Sequence, residues 1–371
     1  MSQVHLLIVH YRCEAEIRRA LESVRQDLAS SRQIKNLTAW VVDNGRTPGA
    51  SLTDPPLPLE PRILDPGENL GFARACNLAL REIREGLVLF LNPDTRLLPG
   101  TLDALAEAAR KGDAAVGSRL FLDDDLFFTV SEPILPGPWL PLRNLLKKRL
   151  PALGLERREL IRRRDYVTTD RTGPTRMLCG ACMAVPRAAL EEAGLFHEGF
   201  FMYGEDADLV LRLRKKGYKI LHVPAARVIH YYDRSARQEE DRKEGWIRSS
   251  HELLLSRNFR SSTRRLAEAL HHGAARILPD RPWKGPRLET DPERPGRFVP
   301  HPAPSRPGPW LFEFSEGPYY DISACAMVDP RRVEIPRTVW DSLAPKRYWT
   351  RLSLPGTREP VYHGFFDLER T

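Results

Sequence analysis

The stretch "GLVLFLNPD" (Gly86–Asp94) decides how the chain is read. Leu87 to Leu91 are apolar without interruption, so neither face of a strand built from them would be wet. A strand covered on both sides belongs at the centre of a parallel sheet. Asn92-Pro93-Asp94 then ends the run in turn chemistry. Upstream, "VHLLIVHY" (Val4–Tyr11) and "TAWVVDNG" (Thr38–Gly45) are two further apolar, β-branched runs, the second closing in an Asp-Asn-Gly turn. Between the three strands the apolar period changes. Ile17, Ala20, Leu21, Val24 and Leu28 recur at helical spacing, as do Phe72, Ala75, Cys76, Ala79, Leu80 and Ile83. The order β-α-β-α-β predicts an α/β fold, a doubly wound three-layer sandwich. Such sheets bind ligands beyond the C-terminal ends of their strands. Asp43 and Asn44 follow one strand, and Asn92 and Asp94 follow another. Each turn alone is ordinary; two acidic turns feeding one crevice predict a site.

The 371 residues exceed one minimal domain, and 42% hydrophobic residues supply a substantial core. No apolar run reaches the length that spans a bilayer. "MSQVHLLIVHYR" lacks the basic start and long apolar middle of a secretion signal. Five cysteines in so long a chain do not make a disulfide framework. The expectation is a cytoplasmic protein. "CGAC" (Cys179–Cys182) has no second Cys pair or histidine cluster to complete a zinc site, so packing is its expected role.

The net charge of +8 is largely local: Arg143–Arg164 holds nine lysines and arginines against Glu156 and Glu159. Leucines and Trp139 interleave with these cations, so residues 139–165 read as a basic amphipathic excursion. Two readings stay open: contact with a membrane surface or lipid phosphate, or a helical excursion packed on the protein. No nucleic-acid reading module accompanies the charge, so no nucleic acid is expected as a partner. Further on, ten of the 32 prolines fall between Pro279 and Pro309, which predicts an extended linker or wrapping arm. Trp310–Thr371 carries short β-like runs dense in aromatic residues, which predicts a small, mostly β C-terminal unit. The expected division is 1–260, 261–309 and 310–371.

"GFFMYGEDADLVLRLRKKGYKI" (Gly199–Ile220) places Glu205, Asp206 and Asp208 at the start of a helical pattern. Acids there complement the helix dipole whether or not they do chemistry. The preceding Gly199–Gly204 run lets backbone come close to a ligand and sets aromatic residues, Tyr203 among them, beside it. Asp206 and Asp208 cannot share a helix face, so only one can point at a crevice.

Taken together, "VVDNG", "ENLGFARACNLAL", "FLNPDT", "CGACMAVPRAAL", "GLFHEGFFMYGEDADLVLRLRKKGYKI" and "HVPAARVIHYY" resemble, in order and spacing, the family 2 glycosyltransferases. The similarity covers roughly residues 1–260 and is greatest to the rhamnosyltransferase-like branch of bacterial surface-polysaccharide synthesis. It implies a GT-A fold and inverting, metal-assisted transfer from a nucleotide sugar. By resemblance Asp206 is the catalytic base. Asp43, Asn44, Asn69, Gly71, Arg74, Asn77 and Asn92 line the nucleotide donor, with Arg74 at the diphosphate. Asp94 and His230 would hold Mg2+ or Mn2+. Gly180, Ala181, Tyr203, Glu205 and Asp208 lie on the acceptor or sugar side. The chain departs from the family at "VHYR" (Val9–Arg12) and at Arg46 of "DNGR", and it has Asn92 where an acid often sits.

The implied partners are a dTDP or UDP sugar and a glycan or polyprenyl-linked glycan acceptor. Rhamnose from dTDP-rhamnose is the leading donor, and a UDP-hexose or galactofuranose donor the alternative within the class. A non-catalytic carbohydrate-binding or membrane-surface scaffold of the same fold is the alternative from another class. Membrane contact through 139–165, at the inner face, is the accompanying expectation.

Overall fold

The computed structural model describes residues 3–45, 51–231, 240–279, 285–317, 323–357 and 359–368. The chain forms two compact units, Met1–Phe121 with Asp170–Phe259, and Leu122–Thr169 with Arg260–Thr371.

The first unit opens with β1 (Val4–His10), α1 (Glu14–Ser30), β2 (Leu37–Asp43), β3 (Arg62–Leu64), α2 (Phe72–Leu80), β4 (Leu87–Leu91), β5 (Thr95–Leu97), α3 (Thr101–Ala109) and β6 (Ala114–Phe121). The chain then enters the second unit with β7 (Thr129–Val130), α4 (Leu140–Arg149), a 3-10 turn at Pro151–Leu153, and α5 (Leu155–Thr168). It returns to the first unit for β8 (Gly173–Pro174), β9 (Cys182–Pro186), α6 (Arg187–Ala193), α7 (Glu205–Lys215), β10 (Lys219–His230) and α8 (Glu240–Asn258).

In the first unit β3, β2, β1 and β4 run parallel in that spatial order. Beyond β4 the sheet turns mixed: β9 lies antiparallel between β4 and β6, and β10 runs parallel to β6. The short β5 and β8 pair antiparallel with β10. The expected α/β architecture is therefore present, with β4 inside the sheet as its apolar run predicts. All five residues of β4 are buried, as are Ile17, Ala20, Leu21 and Val24 of α1 and Ala75, Cys76, Ala79 and Leu80 of α2.

The second unit continues with α9 (Ser261–Ile277), β11 (Arg287–Thr290), β12 (Arg297–His301), β13 (Trp310–Ser315), β14 (Ala324–Val328), β15 (Val333–Glu334), α10 (Arg337–Trp340), β16 (Arg347–Ser353) and β17 (Tyr362–Asp367). Pairing runs β7-β14-β13-β16-β17-β11-β12-β15, antiparallel except at β17–β11. An aromatic core of Phe128, Phe298, Trp310, Phe312, Phe314, Tyr348, Tyr362 and Phe366 fills it. The proline-rich stretch is thus no plain linker: β11 and β12 pair within it, and prolines there sit at or beside strand ends.

Two expectations change here. Residues 122–169 group with the C-terminal unit and not with 1–260. The reason is electrostatic as well as apolar. Leu160 and Val167 of α5 pack with Leu311 and Cys325. Arg163, fully buried, meets Glu159 at 3.3 Å and Glu313 at 3.3 Å and donates to Ser323 Oγ at 2.6 Å. Arg351, also fully buried, meets Glu313 at 2.8 Å, Glu156 at 3.1 Å and Glu159 at 3.6 Å. Arg143 and Lys147 close on Glu159 from α4 at 2.5 and 3.2 Å. The cations that suggested a membrane contact through 139–165 are therefore, in good part, satisfied inside the unit.

Candidate active site

The site grows from the strand ends of the first unit. In the β1–β2 register His10 lies opposite Asp43. Cys13 N–H donates to His10 Nε2 at 3.3 Å, which makes that nitrogen the acceptor and leaves Nδ1–H to donate to Asp43 Oδ1 at 3.2 Å. Both side chains are buried. The imidazole thus orients the Asp43 carboxylate at the mouth of a cavity of about 350 Å³ lined by Tyr11, Arg12, Asp43, Asn44, Asp65 and Asn69, among others. The Arg12 guanidinium lies 5.1 Å from the Tyr11 ring centroid. His10, Tyr11 and Asp65 were not assigned roles from sequence. His10 was legible in principle, because parallel strands in register bring their last residues together. Arg46 lies outside the described residues.

The "ENLG" loop is held by side chains expected to meet the donor. Asn44 Nδ2 donates to Asn69 Oδ1 at 2.8 Å, and Asn44 Oδ1 accepts from Leu70 N–H at 2.8 Å. Gly71 has φ +76°, and a Cβ there would sit 2.4 Å from the Phe201 carbonyl oxygen. Only glycine permits the Phe72 N–H bond to that carbonyl, at 2.7 Å, which ties this loop to the Gly199–Gly204 run. Asn77 has a different part: buried on α2, it accepts from Phe196 N–H at 3.1 Å and donates to Phe196 O at 2.9 Å. Its amide braces the chain before Gly199 and is not presented to a ligand. Arg74 stands exposed in the first turn of α2.

After β4, the Asn92 N–H donates to Ala181 O at 2.9 Å, joining the "NPDT" turn to "CGAC". Asp94 is buried, with Oδ1 3.3 Å from His230 Nε2 at the end of β10. The Tyr231 N–H donates to the Asp94 carbonyl at 3.0 Å, fixing the two strand ends together. Among the described residues no cluster of three or more metal-ligating side chains occurs. One carboxylate beside one imidazole does fit a hard divalent cation whose remaining ligands come from a diphosphate.

The three acids at the start of α7 separate clearly. Tyr203 and Gly204 both have positive φ, 68° and 79°, which turns the chain into the helix. Asp206 Oδ2 accepts from Gly180 N–H at 3.1 Å and Oδ1 from Ala207 N–H at 2.7 Å. A Cβ on Gly180 would lie 3.4 Å from that carboxylate, so the absent side chain keeps the approach open. Burial raises the Asp206 pKa above the usual carboxylate range. Glu205 is buried behind it, pushed up to about 8 by burial and then by the Asp206 charge. Asp208 is a brace: fully buried, it accepts from Arg212 Nε at 2.8 Å and Asn258 Nδ2 at 2.7 Å. Cys179 and Cys182 are free thiols, each raised to about 12, Cys179 by burial first, then by Asp206, with Asp94 also contributing. Burial thus keeps both thiols protonated at neutral pH, in line with a packing role. Cys179 also shows that Asp94 and Asp206 converge on one neighbourhood.

Asp43 thus closes β2, Asp94 follows β4 and Asp206 stands in the first turn of α7, all in the first unit. Residues 6–194 match the model of glycosyl transferase family 2, and residues 159–279 match that of glycosyl transferase family group 2. The chain belongs to glycosyl transferase family 2 and is a glycosyltransferase. It is 31% identical, over 227 residues, to the N-acetylglucosaminyl-diphospho-decaprenol L-rhamnosyltransferase of two Mycobacterium tuberculosis strains, CDC 1551 / Oshkosh and ATCC 25618 / H37Rv. That match covers 55% of this chain and 68% of each relative. Among solved structures, GalNAc-T7 with UDP, GalNAc and Mn2+ has a TM-score of 0.44 at 15% identity, covering 62% of this chain and 43% of that one. The chain thus spans less than half of GalNAc-T7. The mannosyltransferase PcManGT of Pyrobaculum calidifontis, in complex with GDP-Man and Mn2+, has a TM-score of 0.41 at 17% identity and covers 74% of this chain and 76% of that one.

Proposed function

We propose that the protein transfers a deoxysugar, rhamnose from a dTDP donor, with inversion to a lipid-linked saccharide. The observation that carries this reading is Asp206, held at a helix start by two backbone N–H groups with its proton affinity raised by burial. A carboxylate of raised pKa is a stronger base for an acceptor hydroxyl than a free aspartate. One base and one displacement give inversion at the anomeric carbon. The donor assignment draws on the 31% identical rhamnosyltransferase.

In this mechanism Asp43, oriented by His10, accepts from the pyrimidine, with Tyr11 beside it in the cavity. Asn44 and Gly71 hold the loop along the donor, and Arg74 extends towards the diphosphate. Asp94 and His230 would hold a divalent cation, which when bound supplies Lewis-acid stabilisation of the departing diphosphate. Gly180 leaves room for the sugar and lends its N–H to Asp206. Asp206 takes the acceptor proton as the new bond forms.

Thermal unfolding with a nucleotide-sugar panel, with and without Mn2+, tests the assignment. A ligand at a hundred times its Kd stabilises by about 2.7 kcal/mol. dTDP-rhamnose should raise the melting temperature, more so with metal. A shift from UDP-hexoses alone would reassign the donor, and no shift from any nucleotide sugar would overturn the reading.

A further inference from the structure

Helix α9, "SSTRRLAEALHHGAARI", carries an apolar stripe that the fold leaves uncovered. Leu266, Leu270 and Ile277 are 54%, 47% and 81% exposed. Their spacing, i, i+4 and i+11, sets them within one narrow arc of the helix, and Gly273 falls on the same line. Arg265, His272 and Arg276, all exposed, lie on one flank of the helix, between the stripe and Glu268. Glu268, the helix's one acidic residue, lies on the far side from the stripe. The remaining face is engaged: Ala267 is buried, and Arg149 of α4 donates to the carbonyls of Ala275 and Leu278 at 2.6 and 2.5 Å. The helix is therefore pinned with its apolar stripe outward. Trp139, at the start of α4, and Leu153, just past its end, are also exposed.

We propose that α9 is a membrane-docking helix that lies in the interface of an anionic bilayer. A shallow line of large aliphatic side chains, edged by cations and with the helix's carboxylate turned away, complements acyl chains below and anionic headgroups alongside. The assignment differs from the segment 139–165 singled out in the sequence: Arg162, Arg163 and Arg164 of α5 meet carboxylates within the unit, whereas Arg265 and Arg276 of α9 are exposed beside exposed leucines. It rests on the reading of a lipid-linked acceptor, to which a surface-bound enzyme gains access in two dimensions.

Flotation of the full chain with vesicles tests the proposal. Wild type should float with vesicles of phosphatidylcholine containing about 30% phosphatidylglycerol and stay behind with phosphatidylcholine alone, and added salt should weaken the binding. The triple variant Leu266→Glu, Leu270→Glu, Ile277→Glu should bind at least about tenfold more weakly. Arg265→Glu with Arg276→Glu should remove the preference for anionic lipid. Equal flotation of wild type and the triple variant overturns the proposal, as does failure of wild type to bind anionic vesicles. A wild-type dimer in solution that the triple variant disperses, without vesicle binding, would make the stripe a self-association face and equally overturn it. Nucleotide-sugar binding measured without vesicles should be unchanged in all variants. That readout separates failure of the docking helix from failure of the transferase reading.

Discussion

Two buried glutamates in this chain have opposite fates. Glu205, in the first unit, is pushed up to about 8 because burial strips its water and its neighbour Asp206 is another acid. Glu159, in the second unit, is held down at about 2; burial opposes this, but Arg351, Arg163, Lys147 and Arg143 surround it. Burial is common to both, and the cations decide the sign. An acid pair left without cations keeps proton affinity, which a site for proton transfer needs. An acid ringed by arginines is a structural tie. The first unit gathers acids at strand and helix ends, and the second uses its charge to hold α4 and α5 to β13 and β16.

The largest loss of stability is expected at Glu159. Replacing it by glutamine takes one carboxylate from among four cations, of which Arg163 and Arg351 keep Glu313, and breaking a buried pair in this way costs about 3–5 kcal/mol. Urea unfolding should show that loss; a cost under about 1 kcal/mol would mean the network is not a tie. pH separates the two glutamates next. Glu156 and Glu159 have folded pKa values of about 2, below their ordinary value of 4.5, so their contribution is fully present above pH 4.5 and is lost as pH falls towards 2. Melting temperature should drop across that window, and the Glu159→Gln variant should drop less steeply. Glu205 runs the other way. Its folded value lies above its unfolded one, so the ionised form costs stability increasingly from pH 4.5 to about 8. Glu205→Gln should melt close to wild type at about pH 4.5 and above it at about pH 8.5; a constant gap would mean Glu205 is not desolvated. Gly71→Ala, which would drive a Cβ against the Phe201 carbonyl and break the Phe72 N–H bond, should cost more than about 1 kcal/mol in urea unfolding.

Much of the first unit was legible because its pattern is local. β1, β2 and β4 are apolar runs, α1 and α2 are periodic, and the polar strand ends sit where an α/β sheet gathers ligands. That Asp206 and Asp208 would face different ways was legible from helix geometry alone. The bracing roles of Asn77 and Asp208 were not, since an amide bonded to Phe196 and a carboxylate bonded to Asn258 depend on partners 119 and 50 residues away. The same holds for residues 139–165. Their positive charge is plain in the sequence, but Glu313 and Arg351 lie far along the chain, and nothing local shows that a cation is already matched. The exposed stripe of α9 was missed for the opposite reason: its period is that of any amphipathic helix, and only the fold shows which face is left outside.

Asp206→Asn tests the central claim most directly. The amide keeps the shape and can still accept from Gly180 N–H, so nucleotide-sugar binding should remain within a few-fold of wild type. Transfer to acceptor should fall by about 10²–10⁴, the share that a positioned base contributes. Transfer at the wild-type rate, with binding intact, would contradict the assignment of Asp206 as the base.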